Sequence, residues 1–380
     1  RGTINALEEE AMKAKEKVAA VRCASYDENQ VERQLSRLME AIDAAALIKP
    51  GMKVLIKPNL LSAKNPEEFT TTHPEVLRAL VRYVQRHGAQ VMLADSPAGR
   101  FTLDSLRLVY QKTGLKALAE QENCQLNESL DNVESELKMG SEAVPILKCV
   151  ADADLIIDCC KFKSHSYTLT SGAVKNMFGV IPGLVKAEMH ARFPKRAHFC
   201  RFLCQLAAMV KPQLCIMDAI EGMQGNGPSG GDRYDGQRLL AARDPFVLDY
   251  GALKLFGLDP NQMPIHHAAC VLGLVDPQNV ELCALEESWE ALSRHDFRLP
   301  ETVKGLIQLI PSPVEALRHV FAPYPKPDLK RCVGCGECLR DCPVHAITLV
   351  NQKSVIDRRR CIRCYCCQEV CPIHVVQLKR

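Results

Sequence analysis

The 380-residue chain has no run of 18 consecutive apolar residues, so its sequence offers no transmembrane helix. It has no strong charge of one sign: 48 Lys and Arg stand against 45 Asp and Glu, a formal +3, and nothing in that balance argues for nucleic acid. No polar or low-complexity tract interrupts a composition that is 47% hydrophobic and 24% charged, which removes the basis for long disorder. The N-terminal "RGTINALEEEAMKAKEKVAA" lacks the apolar core of a signal peptide and reads as a charged helical pattern. It opens on Arg rather than Met, so an upstream segment or a cleaved export signal stays open.

Cysteine, by contrast, is abundant. Nineteen would suggest a disulfide framework in a small secreted protein, but this chain is long and its cysteines are unevenly placed. Ten are scattered among apolar neighbours, as buried reduced thiols are. That distribution favours a reducing, cytoplasmic compartment. The other nine fall in the last 49 residues.

Eight of those nine form two units in register. Cys332, Cys335, Cys338 and Cys342 are followed by Pro343, and Cys361, Cys364, Cys367 and Cys371 by Pro372. In such runs three thiolates bracket one cube from a tight loop, and the fourth rides away on a short helix to the other cube. This assigns Cys332, Cys335, Cys338 and Cys371 to one [4Fe–4S] cluster, and Cys361, Cys364, Cys367 and Cys342 to a second. Cys366 breaks no spacing and reads as a packing residue. The tail resembles the bacterial two-cluster ferredoxins over nearly its whole length. From Lys326 to Arg380 it carries 11 Lys and Arg against five Asp and Glu. Two clusters of roughly −2 each would offset most of that excess.

Upstream, strand and helix patterns alternate. "KVAAVRC" (17–23), "GMKVLIKPNLL" (51–61), "AQVMLADSP" (89–97), "DADLIIDCCKFKSH" (152–165) and the start of 212–231 read as strands. Helices are expected over 28–47, after Thr72 as N-cap with Pro74 in the first turn, and across "LDSLRLVYQKTGLKALAEQ". The pattern predicts an α/β body over 1–323 with a layered, largely parallel sheet, and a small α+β ferredoxin-like module over 324–380. Prolines 311, 313, 323, 325 and 327 suggest a stiff linker between them.

In parallel sheets ligands sit beyond the C-terminal strand ends. That rule draws attention to Lys57 and Asn59, to Lys161, Lys163 and His165, to Ser171, Gly172 and Lys175, and to Lys186, His190 and Arg192. Lysines and histidines gathered on such loops suit acid–base chemistry and a small anionic ligand. His165, Lys175, His190 and Lys163 are the expected catalytic group, with Lys57, Asn59, Ser171, Gly172, Gly225 and Gly227 as cofactor-binding positions. Gly225-x-Gly227-x-x-Gly230 follows a strand, but Pro228 and "GGDRYDG" continue the loop where a dinucleotide site needs a helix. Asp218, Glu221 and Asp244 could hold a cation or orient a lysine. Adjacent Cys159 and Cys160 must point to opposite faces of their strand, and His266–His267 reads as structural.

Through "VLIKPNLL", "TTHPEVLRALVRYV", "ADSP", "FKSHSYTLTSGAVKNMFGVIPG" and "QGNGPSGG", residues 15–310 resemble the domain of unknown function 362 family. A remoter likeness of "FKSHSYTLTSGAVKNMFGVIPG…HARF" is to the nickel-pincer lactate racemases. That likeness implies acid–base, cofactor-binding and nickel-ligating roles for His165, Lys175 and His190. The chain departs from it at Gly172-Ala173, and at Asp95-Ser96 where a second acid–base histidine would stand. These readings lead to an iron–sulfur oxidoreductase that passes electrons through two clusters to a substrate or an additional, unidentified cofactor in the pocket. Its redox partner would be a ferredoxin, flavodoxin or oxidoreductase. The rival readings are an electron-transfer or metallo-enzyme maturation protein docking through Arg358, Arg359, Arg360 and Arg363, and a racemase or isomerase of the nickel-pincer kind.

Overall fold

A computed structural model of the chain describes residues 15–139, 142–300 and 323–379. The charged N-terminal pattern up to residue 14 and prolines 311 and 313 lie outside these described residues. Strands β1 (Glu16–Arg22), β2 (Lys53–Pro58), β3 (Gln90–Leu93) and β4 (Gln125–Leu126) precede a separate hairpin of β5 (Asn132–Met139) and β6 (Glu142–Leu147). Then come β7 (Leu155–His165), β8 (Leu169–Ser171), β9 (Leu214–Gln224), β10 (Asp232–Ala242) and β11 (Val280–Ala284). The main sheet runs in the order β11-β1-β10-β9-β7-β2-β3-β4, with β8 added to β7.

The sheet is mixed but mostly parallel. β2 runs parallel to β3 and β7, β7 to β9, β3 to β4 and β1 to β11. Only β10, set between β1 and β9, and the short β8 run against their neighbours. A strand covered on both faces reads as a continuous buried run rather than an alternation. β7 is the extreme case, with all eleven residues buried, Lys161 and Lys163 included.

Two hydrophobic cores lie on the two faces. One packs Ile56, Ile157 and Cys159 against Leu35 of α1 (Glu28–Ala41), Leu80 of α2 (Pro74–Arg86), Leu106 of α3 (Leu103–Lys112) and Leu115 of α4 (Leu115–Gln121). The other packs Leu55, Cys160 and Met217 against Val174 of α5 (Ala173–Asn176), Met189 of α6 (Val185–Arg192), Phe199 of α7 (Arg196–Val210) and Phe246 of α8 (Pro245–Leu255). Cys159 and Cys160 thus part to opposite faces, as the pleat requires.

Two local expectations change. The helix expected across 103–121 breaks at Gly114, whose φ of 79° is a left-handed conformation that glycine adopts without strain. His73 rather than Thr72 caps α2, its side chain accepting from Glu75 N–H. Thr72 is engaged elsewhere: its Oγ1 donates to Cys159 O at 2.7 Å and accepts from Asn59 N–H at 2.9 Å, tying the loop after β2 to β7.

The tail closes through β12 (Tyr324–Pro327), antiparallel to β15 (Val376–Lys379), and a hairpin of β13 (Ile347–Val350) and β14 (Lys353–Ile356). Short helices α9 (Glu337–Arg340) and α10 (Cys366–Glu369) each carry the third cysteine of their unit, Cys338 and Cys367. Pro325 and Pro327 are therefore edge-strand residues and not linker, at positions where a missing N–H is tolerated.

Candidate functional site

The C-terminal ends of β2, β3 and β7 meet at one buried polar hub. Lys57, the penultimate residue of β2, lies with Nζ 2.9 Å from Asp95 Oδ1 and donates to Asn176 Oδ1 at 2.7 Å and to Pro58 O. Asn176 Oδ1 also accepts from Asn59 Nδ2 at 3.0 Å. Its own Nδ2 donates to Asp158 Oδ1 at 2.6 Å. Burial pushes the Asp158 carboxyl, beneath the hub, well above its ordinary range. Asp95 Oδ2 accepts from Leu60 N–H at 2.9 Å. A buried ion pair is tolerable only with most of its lone pairs and protons engaged; here the Lys57 ammonium is fully engaged, while Asp95 Oδ1 faces Lys57 without a hydrogen bond of its own.

Two glycines in "SGAVKNMFGVIPG" make the hub possible. A Cβ on Gly179 would lie 2.1 Å from Asp95 Oδ1 and 2.6 Å from Lys57 Nζ. A Cβ on Gly172 would lie 2.1 Å from Asp249 Oδ1, which accepts from Ala173 N–H at 2.7 Å while Oδ2 accepts from Val174 N–H at 3.1 Å. Gly172 therefore lets a carboxylate hold the start of α5, and α5 carries Lys175 and Asn176.

Above the hub opens a cavity of about 620 Å³. From the body it is lined by Lys57, Asn59, Ser171, Lys175, Lys186 and His190, and from the tail by Asp341, Cys366 and Glu369. Most of its polar groups are already committed. Lys186 Nζ donates to Ser96 O, Ser96 Oγ and Ile181 O at 2.8, 2.7 and 3.1 Å. Asp95 and Ser96, which stand where the racemase pattern has a histidine, are thus holding Lys57 and Lys186. Lys175 is different: among the described residues its Nζ makes no hydrogen bond or close ion pair, lying 5.9 Å from the Phe178 ring centroid and within the field of the Glu369 carboxylate. His190 is buried, stacked on Phe199 at 4.1 Å, and its Nδ1 has no hydrogen-bond partner among the described residues. Burial, reinforced by Lys175, holds its imidazole neutral, with the pKa pushed down to about 3.

His165 sits at the last position of β7, where body meets tail. Its Nδ1 accepts from the N–H groups of Tyr167 and Thr168 at 3.1 and 3.3 Å, which leaves the proton on Nε2. Nε2 lies 2.9 Å from Glu369 Oε1 on α10, off the line of a straight hydrogen bond. Burial and the nearby Lys175 push His165 down to about 4. Glu369, despite its burial, is pushed down to about 2 by His165 first and then Lys175. The tail thus presents a carboxylate to the two positive or polar groups of the body that most need one.

The eight spaced cysteines divide between two further cavities. Cys332, Cys335, Cys338 and Cys371 line one of about 370 Å³. Cys342, Cys361, Cys364 and Cys367 line another of about 320 Å³. The fourth cysteine of each unit has crossed to the other's cavity. Among the described residues no three His, Cys, Asp or Glu side chains converge closely enough to hold a single ion. Thiolates spread around a cavity suit a cube instead, so the donor set fits [4Fe–4S] groups. Cys366 lines the second of these cavities and also the cavity between body and tail.

Of the remaining expected residues, several lie apart. Lys163 is buried behind the cavity wall, donating to Asn59 Oδ1 at 2.9 Å and Thr70 O at 2.6 Å, and burial pushes it down to about 7. Gly172 lines a different, apolar pocket with Asp249 and His266. Gly225 and Gly227 do not reach the cavity; Gly227 O accepts from Ser166 N–H and Oγ, bracing the turn after His165. Lys161 pairs with Asp218 at 2.9 Å, Glu221 with Arg233, and Asp244 caps α8, so these acids are spent on structure. The sequence reading missed Asn176 as the hub, and Asp341 and Glu369 as cavity walls.

Comparison with known proteins adds the following. Residues 54–254 match the model of a family described as a domain of unknown function (DUF362), and residues 324–372 match a 4Fe-4S dicluster domain. The thylakoid-associated protein sll1697 of Synechocystis is 32% identical over 301 residues, which is 76% of this chain and 92% of that protein. Two solved structures overlap half of their own length. The lactate racemase apoprotein from Thermoanaerobacterium thermosaccharolyticum has a TM-score of 0.36 at 15% identity, covering 52% of this chain and 50% of its own. A Thermotoga maritima protein has a TM-score of 0.32 at 16% identity, covering 50% of each. No helix among the described residues is long and apolar enough to cross a membrane.

Proposed function

The chain belongs to the domain of unknown function 362 family, and on that footing we propose that it is an iron–sulfur oxidoreductase whose dicluster tail exchanges electrons with a small anionic ligand held between tail and body. The observation that carries this reading is Cys366, which stands between the cavity of Cys342, Cys361, Cys364 and Cys367 and the cavity of Lys175 and His190. A ligand in the second cavity lies one side chain away from whatever fills the first. Four-iron clusters, when bound, supply electrons singly; the residues around them must bind, orient and protonate.

Lys175 is the anion anchor in this account. It is the cavity-lining lysine without a hydrogen-bonding acceptor among the described residues, whereas Lys57 and Lys186 are saturated. Its pKa is lowered chiefly by burial, and an anion beside it would favour the charged form. His190 is neutral with a buried, unpartnered Nδ1, so it can accept a proton from the ligand or, in its other tautomer, donate one. His165 is a positioning residue, since its tautomer is fixed by two backbone donors and its Nε2 faces Glu369 rather than the cavity ligand.

The test uses anaerobically purified, cluster-loaded protein reduced with dithionite and freed of excess reductant. It is mixed with a panel of small carboxylates and phosphate esters bearing reducible groups, and cluster reoxidation is followed optically. One acceptor class should reoxidise the wild type, and Lys175→Ala should slow that reaction at least about tenfold with iron content intact. Equal rates in the two proteins would remove Lys175 from the account.

A further inference from the structure

The two ends of the tail differ in what they meet. At the second cysteine unit Tyr365, Cys366, Cys367 and Gln368 are buried. That end packs on the body through Gln368 against Ser166, Tyr365 against Tyr167, and His374 against Lys64. In the first unit Asp341 lines the body cavity, but residues 331–338 make no hydrogen bond or ion pair with the body among the described residues. Cys335 is exposed, and Val333 (63% exposed) and Leu349 line the same cavity as its thiol. Nine large hydrophobic side chains are exposed among the described residues, and five of them fall between Leu329 and Val355. Scattered apolar residues need no explanation, but a concentration around a cofactor mouth does.

The rim of this face is basic. Lys326, Lys330 and Arg331 are exposed, and among the described residues none forms an ion pair. Asp328 is nearby, its carboxylate accepting from Lys330 N–H, and Glu337 is paired with Arg340. The four arginines that the sequence singled out are differently employed. Arg358 lies over the Tyr324 ring at 4.7 Å, Arg360 donates to Val344 O at 3.1 Å, and the Nη1 of Arg363 is buried. Arg359 is exposed, and its side chain has no partner among the described residues.

We propose that the face around Cys335 is the docking surface for a small acidic one-electron carrier protein. Electrons then enter the tail at the Cys335 end and leave beside the body cavity. The inference rests on the relay reading above and adds its entry point. Electron tunnelling falls steeply with distance, so a carrier must approach a cluster whose cysteine reaches solvent. Electron-transfer encounters are small interfaces with an apolar centre, and rim charges set their encounter rate and salt dependence. A basic rim selects an acidic partner.

The experiment uses the full, cluster-loaded chain with an acidic two-iron ferredoxin as probe. Two readouts are taken: the Kd of the oxidised pair, and the rate of tail reduction by reduced ferredoxin, with dithionite as a carrier-independent reductant. Lys330→Glu with Arg331→Glu should weaken binding and slow ferredoxin-driven reduction by about tenfold or more at low salt, as Val333→Asp should. Dithionite should reduce all proteins alike, and Arg358→Glu with Arg359→Glu should stay within about twofold of wild type. Loss confined to the Arg358 and Arg359 variant overturns the proposal. So does an unaltered Lys330 and Arg331 variant, or a wild type that binds only a basic carrier or none. Clusters that dithionite cannot reduce would instead sink the relay reading itself.

Discussion

Replacing Gly179 with Ala probes whether the hub beneath the cavity is as rigid as its bonding implies. The φ of Gly179 is not left-handed, so alanine carries no backbone penalty there. The whole effect must come from a Cβ placed 2.1 Å from Asp95 Oδ1 and 2.6 Å from Lys57 Nζ. Both atoms end flexible side chains, but neither can move without loss. Asp95 is held by Leu60 N–H, and Lys57 by Asn176 and Pro58. Parting a buried pair costs about 3–5 kcal/mol, and overpacking about 1–3, so about 3 kcal/mol is expected. With an unfolding entropy of roughly 0.8 kcal/mol/K for a chain of this length, Tm should fall by about 4 °C. In a background of Lys57→Ala with Asp95→Ala the collision partners are gone, and Gly179→Ala should then cost under about 1 kcal/mol. Thermal unfolding of the four proteins gives the answer. A Tm shift below about 1 °C in the wild-type background, or an equal loss in both, would refute the reasoning.

Other consequences follow from the same geometry. Because the fourth cysteines cross between cavities, Cys371→Ser should perturb the same cluster's EPR signal as Cys335→Ser, and Cys342→Ser the same as Cys361→Ser; pairing within each sequence unit would contradict this. Burial pushes Asp249 up from 3.8 to about 7. The folded state then holds that proton more tightly, so the stability this group provides is full below about pH 4 and lost as pH rises through 7. Between pH 5 and pH 8 the wild type should lose about 3 kcal/mol relative to Asp249→Asn, read by urea unfolding. A constant difference would mean that the carboxylate is ionised throughout, held by the Ala173 and Val174 N–H groups.

What was legible in the sequence is what is local. Metal-ligand spacing lies within 13 residues of chain, so the cysteine units and their crossed partners could be read directly. Strands that alternate with helices gave the sheet, and the rule of C-terminal strand ends led to Lys57, Asn59, Ser171, Lys175 and His190, all of which line the cavity. The misses are non-local. Glu369 approaches His165 from 204 positions away, and no periodicity connects α10 with the end of β7. Its one sequence mark is an acid in a tail where basic residues prevail, at the position of Arg340 in the first unit. Gly225 and Gly227 satisfied a formal pattern, yet their loop folds onto Ser164 and Ser166, because a pattern of glycines gives permission to turn without saying where. Thr72 looked like a cap by residue type and was claimed by the backbone of β7 instead.

The central claim is that the cavity between Lys175 and Cys366 is a ligand site served by the tail. Native mass spectrometry with metal analysis, on anaerobically purified wild type and Lys175→Ala, tests it most directly. The account predicts about eight irons in both proteins, and an additional small-molecule mass on the wild type, acquired from the cell or from added anion, that Lys175→Ala does not retain. Eight irons in both proteins with identical masses, whatever anion is supplied, would contradict it.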